Sequence, residues 1–245
     1  SINLKVSNLV LISSDKAVRS TNIMGASKRL SELCMQSIYN HKKQNHTKFS
    51  IVRFGNVLES SGSVIPKFMK QIKEGGPISL THKDVTRYFM TLTEAAQLVI
   101  QAGALGKKSE VFVLDMGESI KIKDLIHKIV SLSGLSIKDD KNPFGEIEIK
   151  IIGLKAGEKL YEELLIGDNP KKTVHPKIIK IDENYLPYNK LTVILDELKI
   201  QLDNNDIVEI KKIFRDVLEI YNDIYQIVDN IYLEKSKNKP NIVLQ

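Results

Sequence analysis

Residues Asn8–Leu33 read NLVLISSDKAVRSTNIMGASKRLSEL. Asn8 to Ser13 is a short apolar run with the length and composition of a strand buried on both faces, the kind from which parallel sheets are built. It opens directly into the polar segment SSDKAVRSTN. From Gly25 to about Lys43 the apolar positions, among them Leu30, Leu33, Cys34 and Ile38, recur at helical spacing. Phe49–Phe54, FSIVRF, is the next apolar run. Strand, helix and strand in that order predict an α/β fold.

The same alternation continues outward. Ser63–Lys73 reads as a helix stopped by Gly75, Gly76 and Pro77. Ile78–Leu80 and Tyr88–Met90 read as short strands around a polar loop, and Thr93–Ala104 as a helix with Thr93 as its cap. Val111–Asp115 is a strand, Ile122–Ser133 a helix and Ile147–Ile152 a strand. After Leu186 the pattern is helical, with one helix near Thr192–Leu202 and a long one near Ile207–Tyr232, before a frayed tail, EKSKNKPNIVLQ. No G-x-G-x-x-G turn follows any of these strands. A dinucleotide-binding sheet normally starts with a strand, that turn, and a helix whose N-terminus receives the pyrophosphate. The expectation is therefore a sheet entered partway, without its N-terminal strands.

With 245 residues, 42% of them hydrophobic, the chain can bury a sizeable core. No apolar run approaches the roughly 18 residues a membrane span needs, and the N-terminus lacks the basic-then-apolar order of a secretory signal. These features predict a cytoplasmic protein with no membrane segment. The single cysteine, Cys34, cannot form an intrachain disulfide, which fits a reducing compartment, and it reads as a small buried apolar side chain. The net charge of +6 comes from lysines scattered among carboxylates, with no aromatic-plus-basic stripe, so no nucleic-acid partner is expected. Part of that charge can meet a nucleoside diphosphate. His82 and His175 have no companions at metal-ligand spacing, and no metal site is expected.

The densest polar cluster, Ser13-Ser14-Asp15-Lys16, directly follows the first strand, and Met24-Gly25-Ala26-Ser27-Lys28 opens the helix after it. Residue types alone favour a solvated loop for Asp15 and Lys16. Their place favours a site, because open α/β sheets bind ligands at the carboxyl ends of their strands.

The segment VLISSDKAVRSTNIMGASKRLSEL resembles the signature region of the extended short-chain dehydrogenase/reductase superfamily, in the branch of CapD-like nucleotide-sugar 4,6-dehydratases that serve capsule, O-antigen and flagellin-sugar synthesis. Further blocks carry the resemblance: RFGNVLESSGSVIPKF from Arg53, GGPISLTHKDVTRYFMTLTEAAQLV from Gly75, GLKAGEKLYEELL from Gly153, and HPKI from His175. The resemblance as a whole covers roughly Leu4 to Ile220, and four ordered blocks are far more specific than one motif. Most of the superfamily has a tyrosine four residues before the lysine, where this sequence has Met24 before Lys28, a feature of the CapD-like branch. Ser20, Glu59 and Lys155-Ala156 depart from the branch's usual Pro, Gly and Arg-Pro. Lysine at 155 offers a point charge in place of a planar fork.

The resemblance implies a lyase, an NAD(P)-dependent enzyme that converts a UDP-sugar, UDP-N-acetylglucosamine by the branch, into a 4-keto-6-deoxy sugar for surface polysaccharides. Residues 1–115 would be the C-terminal half of a Rossmann-like catalytic domain, 116–190 a smaller α/β substrate-binding region, 191–235 C-terminal helices and 236–245 a tail. Asp15 would be the acid and Lys16 the base, with Ser14 bonded to the C4 oxygen. Met24 can only shape the pocket, since it has no exchangeable proton. Lys28 would hold the nicotinamide ribose and add charge near Lys16, with Ser13 and Arg53 also on the cofactor. Asn56, Val64, Arg87 and Glu158 would bind substrate, Arg87 at the diphosphate and Glu158 at the uridine ribose. Asn56 also reads as a local turn residue, Arg87 as a surface arginine, and Tyr161 as packing. NAD(P) binding is expected only with a complementary N-terminal half; a homo-oligomer is also open. Two other readings stand beside this one: a nucleotide-sugar epimerase of the same superfamily, disfavoured by Met24 and the Asp15-Lys16 pair, and an inactive fragment or substrate-binding subunit.

Overall fold

The computed structural model describes residues 2–41, 46–58, 60, 63–165, 170–218 and 221. The chain begins with β1 (Asn8–Ile12), a 3-10 turn (Asp15–Ala17), α1 (Ile23–His41), β2 (Lys48–Arg53), β3 (Asn56–Val57) and α2 (Val64–Lys73). Next come β4 (Ile78–Leu80), β5 (Thr86–Arg87), β6 (Phe89–Met90), α3 (Leu92–Leu105), β7 (Ser109–Leu114) and β8 (Ile120–Lys121). It continues through α4 (Ile122–Leu132), β9 (Ile137–Lys138), β10 (Ile147–Ile151), β11 (Lys171–Lys172), β12 (Ile178–Ile181), α5 (Tyr188–Asp203) and α6 (Ile207–Val217).

The main sheet has the order β1-β2-β7-β12-β11. Its first three strands are parallel, with Ile51 opposite Leu11 on one side and Val111 on the other. β12 runs antiparallel to β7, and β11 antiparallel to β12. The two-residue period of a strand decides which helix each side chain meets. Ile51, Val111 and Val113 cluster with Met35 of α1, whereas Val52, Phe112 and Leu114 cluster with Ala95, Leu98 and Ala102 of α3. Helices therefore cover both faces, as the apolar runs of β1 and β2 predict. The far side of α1 is closed in turn by α5 and α6 through Leu30, Leu33, Leu191, Leu198, Ile213 and Phe214.

A smaller layer packs apart from this sheet. The parallel strands β4-β10-β9 carry α2 and α4, with Phe68, Ile72, Ile78, Ile126, Ile129 and Ile147 buried between them. This layer takes residues from before position 116, in α2 and β4, while β11 and β12 return to the main sheet. The expected boundaries at 115 and 190 therefore cut across the packing, because the chain crosses between the layers more than once. α3 also differs at its start. Its cap is Thr91, whose Oγ1 accepts from Glu94 N at 3.2 Å, and not Thr93. Thr91-Leu92-Thr93-Glu94 has the S/T-x-x-E spacing of a capping box. The expected helix from Ile207 stops at Val217, since Leu218 is extended (φ −105°, ψ 95°). Of the expected continuation to Tyr232, only Leu218 and Tyr221 lie among the described residues, and the expected tail, 236–245, lies outside them. Among the described residues, no helix is long and apolar enough to cross a membrane.

Arg53 corrects an expectation. It ends β2 at 0% exposure, and its guanidinium is consumed internally. Nε and Nη2 donate to Glu32 at 2.8 and 2.5 Å, and Nη1 and Nη2 donate to Glu183 at 2.6 and 2.7 Å. Arg29 closes the cluster, with Nη1 2.9 Å from Glu32 and 2.7 Å from Glu183. With its fork occupied and sealed from solvent, Arg53 is not available to a cofactor. It joins β2 to α1 and to the segment after β12.

Burial alone would push the Glu32 carboxyl up. The hydrogen bonds and charge of Arg53, and then the charge of Arg29, outweigh it and hold Glu32 below its ordinary 4.5. A carboxylate held low contributes stability that is present above that ordinary value and is lost as pH falls through the depressed one. Glu32→Gln strands part of a buried guanidinium and should cost about 3–5 kcal/mol at pH 7. Urea unfolding of both proteins should show that gap narrowing as pH falls below 4.5; a gap independent of pH would mean that Glu32 is not ionised in the fold.

Candidate active site

Beyond β1 the chain keeps its parallel track: Ser13 N donates to Val52 O at 2.8 Å and Asp15 N to Phe54 O at 3.1 Å. Ser14 then caps the 3-10 turn, its Oγ accepting from Lys16 N at 3.2 Å and donating to Asp15 Oδ1 at 2.8 Å. The turn brings two sequence neighbours face to face. Lys16 Nζ donates to Asp15 Oδ1 at 2.9 Å and to Asn56 Oδ1 at 3.4 Å. Asp15 is 0% exposed, while Lys16 keeps partial access to solvent.

Two details hold this turn. Ser20, buried where the branch usually has proline, donates to Lys16 O at 3.0 Å and to Ala17 O at 3.3 Å. The first turn of α1 presses on the same carbonyl: a Cβ at Gly25 would lie 2.1 Å from Lys16 O. Only glycine permits that approach.

The opposite wall comes from the smaller layer and the loop after β10. Arg87 Nη1 donates to Thr86 O at 2.7 Å and to Leu160 O at 3.3 Å, and Nη2 to Glu158 Oε1 at 3.3 Å. Its Nε lies 3.7 Å from Glu162 Oε1. Glu158 also accepts from Thr81 Oγ1 at 2.9 Å and Lys155 N at 3.1 Å. Gly157, at φ +74°, accepts from Thr21 Oγ1 at 2.8 Å and Asn22 Nδ2 at 3.0 Å, pinning this loop to the start of α1. Between the walls is a cavity of about 110 Å³ lined by Lys16, Met24, Arg87, Glu158, Lys159 and Glu162.

Ser14, Asp15, Lys16 and Asn56 thus form one connected group, and Met24, Arg87 and Glu158 share the cavity with Lys16. Met24 is 54% exposed at its rim. Lys28 is on another side, its Nζ 3.5 Å from Ile12 O at the carboxyl end of β1. Ser13 is buried beside Glu32. Val64 begins α2 and packs against the core of the smaller layer, outside the residues lining the cavity. Tyr161, expected to pack, is 57% exposed.

The sequence reading missed three charged residues. Glu162, whose side chain is 4% exposed, has its carboxyl pushed up by burial and then by the charge of Asp15, against the pull of Lys16, Arg87 and Lys159. Burial pulls Lys159 down, and its Nζ donates to Val18 O at 2.6 Å. Lys67 is lowered by burial and then by Lys155, which marks a concentration of positive charge beside Glu158. No local sequence signal marked Glu162: it sits two residues before Leu164, which packs partly buried against the main-sheet core.

Comparison with known proteins shows the family and the fold. Residues 1–183 match the family described as polysaccharide biosynthesis protein, and the chain belongs to that family. The capsular polysaccharide biosynthesis protein CapD of Staphylococcus aureus is 50% identical over 173 residues, covering 71% of this chain and 27% of that protein. The structure of Pen from Bacillus thuringiensis is similar over 80% of this chain and 64% of that one, with 34% identity and a TM-score of 0.65. At 16% identity the fold is shared with DesIV, a dTDP-glucose 4,6-dehydratase from Streptomyces venezuelae solved with NAD and DAU bound (TM-score 0.54; 66% of this chain, 52% of that one). The chain thus spans less than two thirds of each of these proteins. Its mixed α/β fold is Rossmann-like, of the extended short-chain dehydrogenase/reductase type.

Gly25→Ala tests the contact that sets the Lys16 turn. Alanine is favoured over glycine at an open helical position, but here the methyl group meets a backbone carbonyl. Urea unfolding should show a loss of about 1–3 kcal/mol. A neutral or stabilising effect would mean that α1 shifts freely away from Lys16.

Proposed function

We propose that this chain carries the acid–base and nucleotide-sugar-binding portion of a 4,6-dehydratase acting on a UDP-sugar, with UDP-N-acetylglucosamine as the substrate. The observation that carries this reading is the buried Asp15 in contact with Lys16 at the carboxyl end of β1. Dehydration removes a proton from C5 and a hydroxyl from C6, adjacent atoms that call for a base and an acid a few ångströms apart. Lys16 and Asp15 meet that need, whereas an epimerase has no leaving hydroxyl to protonate.

Met24 leaves the C4 hydroxyl without a phenol to take its proton. Ser14 fills that gap: its Oγ already donates to Asp15 Oδ1, so a proton from the C4 hydroxyl passes through Ser14 to Asp15. Asp15 then gives a proton to the departing C6 hydroxyl. Asn56 holds Lys16 from the other side. Arg87, with Lys67 and Lys155 near Glu158, meets the diphosphate, and Glu158 leaves Arg87 to accept from the ribose hydroxyls.

NAD(P), when bound, supplies the oxidant and then the reductant for the sugar. The fit is partial. Lys28 at the end of β1 suits the ribose on the nicotinamide side, but these 245 residues contain no glycine-rich turn for the pyrophosphate. Cofactor binding and turnover therefore need a segment with that strand, turn and helix, set against the open edge of β1. DesIV, which shares the fold, holds NAD.

The test joins this chain to such a segment from a CapD-like relative and follows the product by NMR. A 4-keto-6-deoxy sugar is expected; a C4 epimer would establish the epimerase reading instead. Lys16→Met should lower turnover by about 100- to 10,000-fold, and near-normal turnover would remove Lys16 as the base. Calorimetry with UDP on the chain alone should show about 10- to 100-fold weaker binding for Arg87→Ala, the value of a charge-assisted hydrogen bond. An unchanged Kd would move that role to Lys67 or Lys155.

A further inference from the structure

Lys16 faces a proton problem of its own. Lys16 Nζ donates to Asp15 Oδ1 at 2.9 Å and to Asn56 Oδ1 at 3.4 Å, and the proposed base step needs it as a neutral amine, because an ammonium has no lone pair with which to take a proton from C5. Asp15 does not resolve this, because it must remain open to the proton arriving through Ser14. Some other group has to receive the proton that Lys16 sheds.

Glu162 has the required features. It lines the same cavity as Lys16, its side chain is almost wholly buried, and its Oε2 is buried with no hydrogen-bond partner. The charged groups facing it are Asp15 and Lys16 from the 3-10 turn, Arg87 from β5 and Lys159 from its own segment. A buried carboxylate oxygen with no donor is costly, and a protonated one is much less so. The upward push on Glu162 from burial and from Asp15 acts in the same direction. The cavity, about 110 Å³, also has room for a bridging water.

We propose that Glu162 is the proton-holding partner of Lys16, a positioning residue that keeps Lys16 as a free amine during dehydration; this rests on the dehydratase reading above. In the preparatory step a Lys16 Nζ–H bond breaks and a Glu162 Oε2–H bond forms, through a water in the cavity both groups line. Two charged groups thereby become two neutral ones. The amine lone pair then takes the C5 proton as the C5–H bond breaks, and Lys16 later returns that proton to C5 when the sugar is reduced at C6. Asp15 separately relays the C4 hydroxyl proton to the departing C6 hydroxyl. Glu162 keeps its proton throughout, so after the preparatory step each turnover starts and ends with both groups neutral.

Glutamine has the shape of Glu162 but cannot hold the proton. In the joined enzyme, Glu162→Gln should lower kcat by at least about 100-fold at pH 7, with KM little changed. The loss should be recovered steeply as pH rises, because Lys16 then sheds its proton to solvent. Glu162→Asp should restore part of the pH-independent rate. A uniform loss at every pH, or near-normal turnover in Glu162→Gln, would overturn the proposal. A second measurement needs no turnover: NMR of the 245-residue chain should show the Glu162 carboxyl carbon titrating above an ordinary glutamate, with the Lys16 Nζ signal moving in step. An ordinary Glu162 titration with Lys16 Nζ silent over that range would refute the shared proton. If the unaltered joined enzyme makes no dehydrated product, the dehydratase reading fails, and the titration still decides whether the proton is shared.

Discussion

The arrangement of the site depends on a guanidinium buried at the end of a strand. Arg53 has no exposed surface and lies in a run whose other side chains, Lys48 apart, are buried. Such a charge is tolerable only when it is paired and hydrogen-bonded, and its two carboxylates come from α1 and from beyond β12. The fold is thereby constrained at one point in three dimensions: α1 cannot slide along β2 without separating Glu32 from Arg53. The first turn of α1 is the surface that presses on Lys16 O at Gly25, and the residues after Arg53 lead directly to Asn56, which accepts from Lys16. An interaction remote from the chemistry therefore fixes both neighbours of Lys16. Its net contribution to stability is a separate matter, since a buried ion network can be worth little more than an apolar replacement.

The second wall of the site is held differently. Arg87, Glu158 and Glu162 belong to the smaller layer and the loop after β10, and that loop is tied to the main sheet by Thr21 and Asn22 on Gly157 O and by Lys159 on Val18 O. These ties are individually modest. They join the cavity's walls through the same short stretch, residues 15–22, that carries the proposed acid–base pair. Arg87 is already occupied by Glu158 and faces Glu162. In the proposed reading an incoming diphosphate competes for it, and the competition favours a dianionic ligand over a neutral sugar, which gains nothing from the guanidinium.

What was legible in the sequence follows from the range of the forces involved. β1, α1 and β2 were readable because periodicity is local: the alternation that sends Ile51 to one helix and Val52 to the other is written in adjacent residues. The group Ser14, Asp15, Lys16 and Asn56 was readable because strand ends and turn residues mark where a sheet places its polar chemistry. Arg53 was misread for the opposite reason. Its counter-charges lie 21 residues earlier and 130 residues later, and nothing local distinguishes a sealed arginine from one reaching for a ligand. The division into regions failed similarly, since β11 and β12 return to a sheet begun more than a hundred residues before. Glu162 was passed over because charged residues are mostly exposed, and its burial depends on Leu164 anchoring in a core assembled from distant strands.

The absence of a tyrosine at position 24 bears on the whole proton inventory. A phenol can take and return a proton; a thioether cannot. In the proposed reaction the C4 hydroxyl proton must then leave through the group that remains, and Ser14 is bonded to Asp15 and to nothing else that titrates. Asp15 is thereby committed to that route and cannot also hold the proton from Lys16. Two proton paths are needed, one through Ser14 and Asp15 and one between Lys16 and a second carboxyl. The site has two buried carboxyl oxygens without partners, Asp15 Oδ2 and Glu162 Oε2. One carboxyl for each path is the economy that a methionine at position 24 imposes.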